Sequence, residues 1–162
     1  RKSPFEINLG GDGLYGLTLV AKSGVGLGDR PPISGDQPQT WIEVDKTPPQ
    51  VQLFTPEVGK GIEMGNLIVT WKADDSNLGD RCVSLFYAEP GKTDWKPIAA
   101  GIENSGRYTW KLGGQAPFRF RVAIEVADLA GNRQMAESTE VSIDTSKPKS
   151  KINGVNSGRN YR

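Results

Sequence analysis

The sequence predicts an all-β chain, with one complete seven-stranded Greek-key sandwich preceded by the last strands of another copy. Three observations carry that reading. Apolar and polar residues alternate at period two along one segment after another. Clusters of turn-forming residues separate these segments, and no eleven-residue window offers a helical stripe. The third observation is an internal repeat with a period near 100 residues.

The repeat sets the order of the elements. Phe5-Glu6-Ile7-Asn8-Leu9-Gly10-Gly11 matches Tyr108-Thr109-Trp110-Lys111-Leu112-Gly113-Gly114 at a shift of 103 residues. Tyr15-Gly16-Leu17-Thr18-Leu19-Val20-Ala21 matches Phe120-Arg121-Val122-Ala123-Ile124-Glu125-Val126 at 105. Ile42-Glu43-Val44-Asp45 matches Val141-Ser142-Ile143-Asp144 at 99, and loops absorb the drift. Residues 1–47 are therefore expected to hold about three strands, the last part of a unit. Residues 48–145 hold the whole unit, an immunoglobulin-sized sandwich by its length. Its strands are read at Val51–Phe54, Leu67–Ala73, Val83–Ala88, Trp95–Ala99, Tyr108–Leu112, Phe118–Val126 and Val141–Asp144. Glu89-Pro90-Gly91, Asn104-Ser105-Gly106 and Ala130-Gly131-Asn132 supply the turns. Thr47-Pro48-Pro49 and Ser146-Lys147-Pro148 are matching joints, stiffened because proline fixes φ and biases its predecessor to extended backbone.

These residues resemble fibronectin type III and tandem bacterial immunoglobulin-like repeats. Trp71 stands in the second strand, where type III domains keep a core tryptophan. Leu9 and Tyr15 resemble the Leu…Tyr spacing of a tyrosine corner, in which the hydroxyl fastens a turn. Phe120 replaces that tyrosine in the second copy, so the bond is expected to be missing there. Glu125-Val126-Ala127-Asp128-Leu129-Ala130-Gly131-Asn132 resembles a turn of tandem bacterial surface repeats, and Val44-Asp45-Lys46-Thr47-Pro48-Pro49 resembles the joint between them. Together with Asp12-Gly13-Leu14-Tyr15-Gly16, the pattern resembles large surface proteins of the planctomycete type. The resemblance implies an extracellular or cell-surface setting, neighbouring repeats as partners and, in some members, calcium at the joints.

Composition narrows the function. The 162 residues contain no histidine and one cysteine, Cys82. The usual general base and the commonest transition-metal ligand are missing, and one cysteine makes neither an internal disulfide nor a zinc site. Triads, Cys-His dyads and histidine-based metal centres are excluded, and no enzyme is expected. A net charge of +1 gives no global attraction to nucleic acid. No apolar run approaches the length of a membrane helix. Arg1-Lys2-Ser3-Pro4 leads straight into strand-like sequence and reads as a processed end or an excerpt.

The candidate sites are few. In this topology the acidic loop Asp74–Asp80, the loop holding Asp128 and Asn132, and the incoming joint with Asp45 share one pole. Asp45, Asp74, Asp75 and Asp128 are thus candidate Ca²⁺ ligands, Ca²⁺ taking six to eight hard oxygens. The competing reading makes them ordinary turn residues. Trp71 and Trp110 are assigned to the core, leaving Trp95 as the candidate platform for a surface glycan. Arg119 and Arg121 are read as the wet face of a strand. Cys82 is read as a buried thiol or an inter-chain pairing partner. The tail, residues 146–162, carries Lys147, Lys149, Lys151, Arg159 and Arg162 and no acid, a local charge of +5. It is read as a solvated terminus or a basic segment that lies on an acidic surface. Residues 149–155 also match a first strand and suggest strand donation into another copy. The expected function is a non-enzymatic spacer or filament unit. The alternatives are an adhesin or carbohydrate-binding module, and an accessory domain of a larger secreted hydrolase.

Overall fold

A computed structural model of the chain describes residues 6–113 and 116–143. The readings made for residues 1–5, Asp144 and the tail at 146–162 lie outside the described residues. The fold is an all-β, immunoglobulin-like sandwich with a separate two-stranded hairpin ahead of it.

The hairpin pairs β1 (Gly13–Leu17) with β2 (Thr40–Val44). The sandwich follows. Its first sheet is built on β5 (Asn66–Asp74). β3 (Gln50–Leu53) and β4 (Glu57–Val58) share one edge of β5, and β8 (Arg107–Lys111) takes the other. The second sheet centres on β6 (Leu78–Ala88) and β9 (Arg119–Asp128), with β7 (Lys96–Ile102) on the outer edge of β6. β10 (Arg133–Glu137) and β11 (Val141–Ser142) lie along the far edge of β9. β3 with β4, and β10 with β11, are each one strand broken by an irregularity, which gives a three-plus-four division. At the second break, Ser138 Oγ accepts from Val122 N at 3.0 Å while Ser138 N donates to Val122 O at 2.8 Å. The side chain supplies the acceptor that the bulged backbone cannot.

Period-two alternation places the core. Leu67, Val69 and Trp71 of β5 face Val83 and Leu85 of β6 and Phe120, Val122, Ile124 and Val126 of β9, all buried. Val141 and Ile143 close one end. Phe120 is the hub, edge-on to Trp110 at 5.4 Å and to Tyr87 at 6.3 Å between ring centres. Trp71 is buried, as its strand position implies, and its Nε1–H donates to Asn104 Oδ1 at 2.9 Å. Cys82 is buried at the rim of this cluster, and burial pushes its thiol pKa up. The glycines of the three turn clusters, Gly91, Gly106 and Gly131, all have positive φ (73°, 76° and 94°), which explains the residue type at each.

Four expectations need correction. β6 begins at Leu78, so the acidic loop is shorter than its composition suggests; extra residues on β6 against β9 between Leu78 and Val83 form a bulge that accommodates Asp80. The last strand starts at Arg133 instead of Val141, because the Asp128–Asn132 turn reverses the chain at once. Arg121 is not a plain wet-face residue. Its guanidinium lies 5.1 Å from the centre of the Trp95 ring, donates to Lys92 O at 2.8 Å and pairs with Glu137. Finally, residues 6–10 form no strand despite their alternating pattern. Their counterpart β8 is held by β5, and the described part of the first copy offers no such neighbour.

The repeat survives in the register. Tyr15 stands opposite Ile42 across the hairpin, and Phe120 stands opposite Val141 in the sandwich. These are the same pairs that the sequence shifts align.

Candidate functional site: the joint between hairpin and sandwich

Residues 45–49 connect β2 to β3, and side chains hold them from both ends. On the hairpin side, Asp12 Oδ1 accepts from Lys46 N at 2.8 Å, and Thr47 Oγ1 donates to Asp12 Oδ2. Lys46 Nζ reaches back to Leu9 O at 3.2 Å. The Tyr15 hydroxyl fastens the same stretch, donating to Gly11 O at 2.8 Å and accepting from Gly11 N at 3.2 Å. The tyrosine-corner expectation is met in the first copy. In the second, Phe120 has no hydroxyl to offer.

On the sandwich side the main clamp is Asn132. Its Nδ2 lies 3.1 Å from Asp45 O, 3.4 Å from Thr47 O and 2.8 Å from Asp128 Oδ2. Asn77 Nδ2 donates to Asp45 Oδ2 at 2.6 Å, and Leu129 N donates to Asn77 O at 2.9 Å, tying the two loops together. Each carboxylate also caps its own turn. Asp45 Oδ1 accepts from Thr47 N, Asp75 Oδ1 from Asn77 N and Asp128 Oδ1 from Asn132 N, at 3.0, 2.7 and 2.8 Å. Pro49, the last residue of the joint, is buried.

Electrostatics agree with this geometry. Desolvation is the largest single influence on Asp128 and pushes its pKa up. The side-chain and backbone N–H of Asn132, with the N–H groups of Gly131 and Ala130, together outweigh it and hold the carboxyl below its ordinary value. Asp12 is held low by the Thr47 hydroxyl first and the Lys46 N–H second. Both carboxylates are held as acceptors in the ionised form.

Three of the four aspartates named as Ca²⁺ ligands converge. Asp45, Asp75 and Asp128 each present a carboxylate oxygen within 4.8 Å of the others, with Asp128 buried. Asp74 does not join them. It lies on the outward face of β5 with Thr70 and Lys72, because it falls on the opposite parity from Trp71. Asp12 and Asn77 were missed as functional residues. In sequence both look like ordinary turn formers, and only the fold brings them to residues 45–47.

The tryptophan assignment also changes. Trp95 is half-buried, and the Arg121 guanidinium lies over one face of its ring. Trp41 is the exposed tryptophan, at 55%. Its neighbour on that face across the hairpin is Gly16. Among the described residues, no helix is long and apolar enough to cross a membrane.

Comparison with protein-family models found no match for the chain, and comparison with curated proteins found none either.

Proposed function

We propose that the chain is a non-enzymatic structural module of an extracellular or cell-surface protein, acting as a stiff spacer in which immunoglobulin-like units are held end to end. One observation carries the reading. The joint at residues 45–49 is gripped by Asp12 from the hairpin and by Asn77 and Asn132 from the sandwich. A linker meant only to tether needs no such grip, whereas a spacer needs its joints fixed so that length is kept under load. A neutral bond such as that from Asn132 to Asp45 O contributes about 1 kcal/mol net and a bond to a carboxylate about 1.5–3 kcal/mol, so the clamp competes with thermal bending as a set. The Arg121 guanidinium over the Trp95 ring counts against the glycan-binding alternative.

A second reading adds calcium. The convergence of Asp45, Asp75 and Asp128 offers hard oxygen donors of the kind Ca²⁺ prefers, and an ion there would tighten the same joint.

Backbone relaxation measured by NMR tests the first reading. Residues 13–17 and 40–44 should tumble with the sandwich, with order parameters of about 0.85. Replacing Asn77 and Asn132 together by alanine should drop the hairpin below about 0.6 and leave the sandwich rigid. Independent tumbling of the hairpin in the parent chain would remove the basis for a stiff spacer. Thermal melts in chelator and in millimolar calcium decide the second reading, because an ion that binds only the folded state must raise its stability. Equal melts would refute it.

A further inference from the structure

The β1–β2 hairpin carries an apolar face that is less covered than its counterpart in the sandwich. Phe120, Val122, Val141 and Ile143 are buried in the complete copy. Their repeat equivalents Tyr15, Leu17 and Val44 are only half-buried, and Ile42 is 39% exposed. The edges differ too: β9 is paired on one side by β6 and on the other by β10 and β11, whereas among the described residues β1 is paired by β2 alone. A third sign is the stretch at residues 6–10, which alternates like a strand but has no ladder.

We infer that Tyr15, Leu17, Ile42 and Val44 are inward-facing residues of a second immunoglobulin-like unit, and that strands equivalent to β3–β7 cover them. Residues 6–9 then play the part of β8 and gain the β5 equivalent that the described residues do not supply. In the complete copy β3–β7 precede β8 and β9 in one chain. The same order assigns the cover to the same polypeptide as the hairpin. The inference deepens the spacer reading by naming the partner of the hairpin, but it stands on register and burial, not on the clamp.

The sequence itself supplies a probe. Leu for Val, Ile for Val and Val for Ile are apolar exchanges that differ by one methylene, and Tyr for Phe adds a hydroxyl that is already satisfied by Gly11, so a repacked core can accept all four. Residues 48–107 of this chain, joined ahead of residue 5, should therefore build a second complete sandwich. Hydrogen exchange then reads the amides of residues 7–9 and of the β1 edge turned away from β2. In the full chain as it stands these amides should exchange as if unprotected. In the extended chain they should slow by about a hundredfold or more, and Leu17→Asp should abolish the gain. Unchanged exchange in the extended chain, with residues 48–143 of the original unit still protected, would overturn the inference. So would protection already present in the full chain. If that chain sediments as a monomer, the hairpin needs no cover; if as a dimer, a second copy is the cover. The joint is read by relaxation and this face by exchange, so failure of one is distinguishable from failure of the other.

Discussion

Val122 is the sharpest place to test the sandwich. It is fully buried in the middle of β9, opposite Tyr87 of β6. Val122→Asp keeps roughly the same volume and replaces two methyl groups by a carboxylate. Removing the buried apolar side chain forfeits about 1.5–3 kcal/mol of transfer free energy. An unpaired carboxylate at that depth adds several kcal/mol more, since the described neighbours on the core face are apolar. The sum, about 5 kcal/mol or more, approaches the whole stability of a domain this size. At about 4–8 °C per kcal/mol, the melting temperature should fall by about 20 °C or more. The pH dependence has a definite sign. Burial raises the new carboxyl's pKa above its unfolded value, so the folded state binds the extra proton. The penalty is therefore full at neutral pH and eases as pH falls through the folded pKa. Arg119→Asp is the control. Arg119 sits on the outer face of the same strand, 61% exposed and paired with Glu140, and its loss should cost less than about 1 kcal/mol. Melts of both variants at pH 7 and pH 4, followed by far-ultraviolet circular dichroism, give the comparison. Equal losses in the two variants would refute the assignment of faces on β9.

The remaining predictions concern the tryptophan of β5 and the carboxylates of the joint. Trp71→Phe should cost about 1 kcal/mol for the bond to Asn104 plus a small packing loss, measured by urea unfolding. Asn104→Ala also removes the bond from its Nδ2 to Ala73 O, so it should cost about 2 kcal/mol in bonds, and the double variant should lose less than the sum because the two residues share one bond. Asp12 and Asp128 have depressed pKa values, so their contribution to the joint is present above the unfolded pKa near 3.8 and is lost as pH falls through the lower folded values. Hairpin relaxation should therefore loosen below about pH 4. Asp128→Asn should flatten part of that dependence.

Much of the fold is determined by the sequence because a strand with one packed face writes its pattern locally. Phe120, Val122, Ile124 and Val126 alternate with Arg119, Arg121 and Glu125, and this parity sends the first four into the core, although Ala123 on the other face is buried as well. The turn glycines are legible for the same reason, since positive φ is a property of one residue. The repeat recurs in the register, Tyr15 pairing with Ile42 as its equivalent Phe120 pairs with Val141, because register follows from which residues must face inward. Tertiary structure decided what depends on loops meeting. Asp74 and Asp75 are neighbours in sequence, yet the parity of β5 turns one outward while the other converges with Asp45 and Asp128. Asn77 and Asp12 carry no local mark that separates a joint clamp from a turn residue. Trp95, in the loop before β7, looks like an open platform until Arg121 of β9 lies over it. Residues 6–10 have the alternation of a strand but no ladder, because a strand is completed by its neighbour and not by its own residues. Periodicity is a one-dimensional property that a chain can encode by itself. Contacts between distant loops depend on three-dimensional closure, which no local pattern contains.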